Sequence, residues 1–191
     1  MKICVFASSS SLLHEMYGEA AASLGTIIAQ NGDEIIYGGG GIGLMGRLAD
    51  ASLLGGGKVT GVIPRFMKEE GWGHNHISEM VITEDMHTRK KTMFMQADAV
   101  VALPGGIGTL EELTEAITLK QLGLYSGPIV ILNTLNFYDL FLTFLTKMVD
   151  ENFLRPQHND IWSVATTPQE VMSHIKNYGG WISNPRGIAK I

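Results

Sequence analysis

The sequence predicts an α/β protein: a Rossmann-like, three-layer α/β/α fold in a single domain, built around a mostly parallel sheet. Three observations carry that prediction. Short apolar runs alternate with amphipathic, helix-period segments from end to end, the pattern of chained βαβ units. The runs are apolar throughout, as strands covered on both faces are. The glycines gather at the joints, at 38–41 with Gly43 and Gly46, at 55–57 and at 105–108.

Taken in order, a strand is expected over 2–7, where Ile3-Cys4-Val5-Phe6-Ala7 runs apolar and then breaks into serines. A helix over 12–31 and a strand over 34–37 lead into the first glycine cluster. A helix over 44–54 and the second cluster precede a strand over 58–63. The stretch 65–78 is the least regular and includes Gly71-Trp72-Gly73-His74-Asn75-His76; it is expected to form a loop over the site. A strand over 80–83 and a helix over 86–96 follow. The run Ala99-Val100-Val101-Ala102-Leu103 reads as a buried strand, with a helix from near Leu110 to 122. The last elements are a strand over 129–133, a helix over 138–151, a short strand over 162–165 and a helix over 168–178. One domain is expected over 1–180, with a tail over 181–191. Right-handed crossovers would gather the strand-to-helix loops at the carboxyl edge of the sheet, where ligands of such folds bind.

At 191 residues and 45% hydrophobic content the chain can bury one sizeable core. A net charge of −5 provides no basic field for nucleic acid, and no apolar run is long enough to span a bilayer. The single cysteine, Cys4, excludes an intrachain disulfide and reads as a core residue. The start of the chain is too short for a signal peptide, so a cytoplasmic protein is expected. His74 and His76 have no third partner at ligand spacing, and no metal or cofactor is expected. The segment 138–151 is apolar around most of its circumference (Leu140, Phe141, Phe144, Leu145, Val149), which puts it inside the molecule or at a subunit interface; a homodimer is expected.

The most informative stretch is Leu103-Pro104-Gly105-Gly106-Ile107-Gly108-Thr109-Leu110-Glu111-Glu112. A strand that ends in glycines and turns into a helix presents free backbone N–H groups to an anion. Gly105, Gly106 and Gly108 allow unusual dihedrals and close approach to a phosphate. A carboxylate one turn on suggests chemistry on a phosphorylated sugar. Thr109-Leu110-Glu111-Glu112 is also a capping box, with Thr109 as N-cap and Glu112 reaching back; the local pattern leaves both readings open. A second motif, Tyr37-Gly38-Gly39-Gly40-Gly41-Ile42-Gly43-Leu44-Met45-Gly46, matches G-x-G-x-x-G at Gly41, Gly43 and Gly46. It lacks the acid expected about twenty residues on, so a mononucleotide fits it better than a dinucleotide. In Met86-His87-Thr88-Arg89-Lys90-Lys91-Thr92-Met93, helical spacing puts Arg89 and Lys90 on the face of Met86, Met93 and Ala97, with Lys91 pointing away. Cations there either serve a ligand, snorkel, or pair with an acid such as Glu84 or Asp85.

Together these three pieces resemble the LOG ("Lonely guy") family of cytokinin-activating phosphoribohydrolases, long mislabelled as lysine decarboxylases. The family pattern P-G-G-x-G-T-x-x-E is matched from Pro104 to Glu112, its Met-His-x-Arg-Lys companion from Met86 to Lys90, and G-G-G-x-x-G-L-M-G from Gly39 to Gly46. The resemblance implies a homodimer that cleaves the N-glycosidic bond of N6-modified adenosine 5′-monophosphates, or of AMP, to free base and ribose 5-phosphate. It implies Arg89 and Glu112 as the catalytic pair. Lys90, Gly105, Gly106, Ile107, Gly108, Thr109 and Glu111 would hold the nucleoside monophosphate, with Gly41, Gly43 and Ser8 beside them. An acid after the third strand, Glu69 or Glu70, is implied as a further contact. Decarboxylation is set aside on chemistry, because it needs pyridoxal phosphate on a lysine and no lysine stands in a recognisable site for one. The rival expectation is a non-catalytic carrier of nucleotide or molybdenum cofactor, or a nucleotide sensor.

Overall fold

The strands divide their side chains between two cores with period two, as the pleat requires. On β1 (Lys2–Phe6), Ile3 and Val5 join one cluster while Cys4 and Phe6 join the other. On β5 (Ala99–Ala102), Ala99 and Val101 take the first side, Val100 and Ala102 the second. This double burial is why the runs are apolar at every position. The computed structural model describes residues 1–189. The remaining strands are β2 (Glu34–Tyr37), β3 (Lys58–Pro64), β4 (Glu79–Thr83), β6 (Ile129–Leu132) and β7 (Ser163–Ala165). All seven pair in parallel, in the order β4-β3-β2-β1-β5-β6-β7.

The first core lies under α1 (Glu15–Gln30), α2 (Gly43–Leu54) and α7 (Pro168–Lys176); the second lies under α4 (Met86–Met95), α5 (Ile107–Gln121) and α6 (Asp139–Asp150). Three layers result, as expected from the sequence. After β1 the chain builds outward through β2 and β3 to β4, then returns to the other flank of β1 as β5. That reversal opens a crevice at the carboxyl ends of β1 and β5, because the loops leaving them diverge to opposite sides.

Several boundaries differ from expectation for identifiable reasons. The first helix starts at Glu15, not 12: Ser8 and Ser10 hydroxyls accept the N–H groups of Ser10 and Leu12, forming turns, and His14 caps Met16 N. The irregular stretch holds a one-turn helix, α3 (Arg65–Glu69). The residues after 180 do not trail away: the Trp181 indole donates to Gln157 O at 2.9 Å, and α8 (Pro185–Ala189) packs on α5. The last two residues of the expected tail, 190 and 191, lie outside the described residues. No helix among the described residues is long and apolar enough to cross a membrane.

Candidate active site

The crevice holds a cavity of about 590 Å³, within the range of small-molecule sites. Its walls are the turn after β1, the start of α2 and the start of α5. The α5 junction is the part the sequence singles out, and its helix begins three residues earlier than expected. Gly106 is the N-cap and supplies no side chain, and Thr109 is the third helical residue. The capping-box reading therefore fails: Glu112 turns away from the helix start. The amides of Ile107, Gly108 and Thr109 have no acceptor among the described residues, and the first bonded amide is Leu110 N, to Gly106 O at 3.0 Å. The expected unusual dihedrals are also absent, since none of Gly105, Gly106 and Gly108 has positive φ. Space is what separates them. A Cβ on Gly105 would collide with the Thr109 side chain, whereas one on Gly106 or Gly108 would meet nothing within 4 Å. The approach to the junction is held by Tyr138, whose hydroxyl donates to Leu103 O at 2.7 Å.

Arg89 and Glu112 meet in the second wall. Asp85 caps α4 by accepting Thr88 N at 2.7 Å, and one turn later Arg89 points inward. Its guanidinium is fixed at three points: Nε donates to Val62 O (3.0 Å), Nη1 to Glu112 Oε1 (2.7 Å) and Nη2 to Gly38 O (3.4 Å). Gly38 has no side chain because a Cβ there would occupy the place of Arg89 Nη2. Both partners are buried, at 7% exposure each. Burial raises the Glu112 carboxyl above the ordinary value, and the Arg89 ion pair opposes that rise. The acids that answer the basic pair come from α5, not from Glu84 or Asp85. Lys90 pairs with Glu111 and, at 2.9 Å, with Glu115, forming an outer bridge parallel to the inner one. It does not line the cavity.

Of the other expected residues, Ser8, Gly41 and Glu111 line the cavity. Gly43 faces the neighbouring Ser10 turn instead, with φ +67°. Glu69 and Glu70 are solvent-exposed at the end of α3, and it is Met67 of that helix that reaches the cavity. The expected covering loop is present and stitched down. Gly41 N donates to Trp72 O (3.2 Å) and His74 N to Gly39 O (2.8 Å). His74 Nδ1 accepts His76 N at 3.1 Å, which leaves Nε2–H to donate to Asp50 at 3.0 Å. Trp72 is thereby held against the cavity, whose apolar lining also includes Met45, Met67, Met86 and Ile42. Reading the motifs for charge missed this lining. The signal for Met45 is that Leu44 faces the core, so its neighbour must turn toward the crevice.

A parallel sheet reversing at β1 and β5, with an open helix start and a buried Arg–Glu pair at the reversal, defines a Rossmann-like α/β protein. Residues 45–175 match the family model described as "Possible lysine decarboxylase". The cytokinin riboside 5′-monophosphate phosphoribohydrolase LOG7 of Arabidopsis thaliana is 42% identical over 177 residues, covering 93% of this chain and 82% of the relative. LOG1 of the same plant is 40% identical over 177 residues, covering 93% and 83%. The chain belongs to this family, the LOG phosphoribohydrolases. Among solved structures, the molybdenum cofactor carrier protein of Chlamydomonas reinhardtii superposes with a TM-score of 0.69 at 21% identity, covering 92% of this chain and 95% of the carrier. The molybdenum cofactor binding protein of Rippkaea orientalis superposes with 0.69 at 21%, covering 92% and 94%. At that identity the likeness is one of fold.

Proposed function

We propose that this protein hydrolyses the N-glycosidic bond of adenosine 5′-monophosphates bearing an N6 substituent, releasing the free base and ribose 5-phosphate. The observation that carries the reading is a buried carboxylate, Glu112, that shares one cavity with Gly106, Gly108 and Thr109 of the open helix start and with the apolar side chains of Trp72, Met45 and Met67. The 5′-phosphate rests on the amides of Ile107, Gly108 and Thr109, a helix-dipole site contributing up to about 2 kcal/mol. The base and its substituent lie against Trp72, Met45 and Met67. The C1′–N9 bond breaks with its electron pair going to the base, leaving positive charge on the ribosyl ring. Glu112 stabilises that charge and orients the water that adds to C1′. Arg89 fixes the Glu112 carboxylate and adds a positive charge at the ribose end. Lys90 acts on substrate only through Glu111 and Glu115, by holding the start of α5 against α4.

Incubation of the pure protein with N6-isopentenyl-AMP and with AMP, followed by chromatography, tests the reading. Free base with an equal amount of ribose 5-phosphate is the expected result. Intact nucleotide that stays bound points instead to a carrier or sensor.

The same family reading includes a homodimer through α6, supported by a face that one chain leaves open: Leu140 is 85% exposed and Phe144 54%. Sedimentation at micromolar concentration is expected to give a dimer, and Phe144→Glu a monomer. Cys4, a buried free thiol, is in keeping with a reducing, cytoplasmic setting.

A further inference from the structure

A second cavity, about 390 Å³, lies between the C-terminal end of α5 and the segment 178–186 that folds over it. It shares no lining residue with the active-site cavity. Lys120, in the last turn of α5, lines it while only 1% exposed. Its ammonium has no hydrogen-bond acceptor among the described residues, and the Tyr178 ring centroid lies 4.5 Å from Nζ. The hydroxyl of Tyr178, another residue of the lining, is likewise buried without a partner among the described residues. A buried cation and a buried hydroxyl left unsatisfied are both unfavourable, and the ring face offsets only part of that cost. Among the described residues no aspartate or glutamate lines the cavity, and its other charged lining residue, Arg186, donates Nε to Leu122 O at 3.2 Å. Tyr125, Trp181, Ile182 and Pro185 supply flat or apolar walls, and Ser126 and Asn184 are uncharged polar residues of the lining.

We propose that this cavity is a ligand site for a small carboxylate with a flat apolar body, its two oxygens accepting from Lys120 Nζ and Tyr178 Oη. A buried cation and a buried hydroxyl without an acceptor call for an anion, and the aromatic walls match a ring behind it. A phosphate dianion would set a double charge against the apolar walls of Tyr125, Ile182 and Pro185. Burial pushes the Lys120 amine down to about 8, so a bound anion would stabilise the ammonium form that the empty cavity disfavours.

The test is titration of the whole protein with sodium benzoate, read at the Trp181 indole N–H resonance, assigned by its loss in Trp181→Phe. A saturable shift and a rise in Tm are expected, with benzamide, which has the ring but no charge, at least tenfold weaker. Lys120→Met keeps the shape while removing the buried charge, so it is expected to fold and to weaken benzoate at least tenfold. Tyr178→Phe, which retains the ring, should weaken it about threefold or more. Absence of a saturable shift, equal binding of benzamide, binding of inorganic phosphate as tight as benzoate, or unchanged affinity in Lys120→Met each overturns the proposal.

Discussion

At the 38–46 junction two of the first three amides of α2 are already taken: Leu44 N and Met45 N both donate to Ser8 O, at 3.0 and 3.3 Å. Its glycines are there for the chain itself. A Cβ on Gly43 would stand 2.5 Å from Ser10 O, and one on Gly46 2.5 Å from Gly41 O. At the 104–112 junction the situation is reversed. The first amides of α5 are unbonded, and a Cβ on Gly106 or Gly108 would enter open space. Both are glycine-rich turns from strand to helix, yet only one presents donors to a ligand. Glycine content does not make an anion site; unbonded amides beside unfilled space do. The G-x-G-x-x-G match is thus a packing motif here, joining the β1 turn to α2, and the proposed phosphate site is at α5 instead.

The largest expected effect tests the carboxylate beside the open junction. Glu112→Gln should lower kcat by about 10³-fold or more while nucleotide affinity stays within about tenfold. Undiminished turnover would remove Glu112 from the chemistry. Next comes a double dissociation between the junctions. Gly108→Ala should raise KM by roughly tenfold or more with little change in Tm, because its Cβ intrudes on ligand space alone. Gly43→Ala should lower stability by about 2 kcal/mol or more, through left-handed backbone and collision with Ser10. If Gly43→Ala cost only affinity and Gly108→Ala only stability, the comparison would be the wrong way round.

The pH profile sharpens the electrostatics of the open side. The reactive form of Glu112 is the carboxylate, and burial raises its pKa, so kcat/KM should fall on the acid side above the ordinary carboxylate range. A limb at or below that range would mean that Arg89 outweighs burial. The smallest effect concerns the outer bridge. Lys90→Ala is expected to cost about 0.5–1 kcal/mol of stability, with KM changing less than about threefold. A tenfold rise in KM would make Lys90 a direct substrate contact.

Much of this molecule is written in local pattern. The all-apolar runs around Val5 and Val100 announce a doubly covered sheet, and the order of runs and helices announces the α/β class, because burial periodicity is a property of neighbouring residues. Arg89 and Glu112 also stand out in the sequence, Arg89 by the helical face it shares with Met86 and Met93 and Glu112 by its place one turn past the glycines. Their pairing does not, since it joins α4 to α5 across 23 residues and depends on how those helices cross the sheet. The capping-box pattern was misleading for a related reason: Thr109 and Glu112 have the spacing of a cap, but Arg89 offers Glu112 a stronger, charged partner.

Local pattern thus carries the layered architecture, the two glycine junctions and the short list of charged residues near them. Which junction is open is settled only in three dimensions, because the carbonyl that closes the other belongs to Ser8, in the turn after β1. Tertiary packing also brings Trp72 and Met45 to one cavity and leaves the Lys120 ammonium buried without an acceptor among the described residues. Hydrogen-bond partners and empty space are relations between distant segments, and local periodicity carries no record of them.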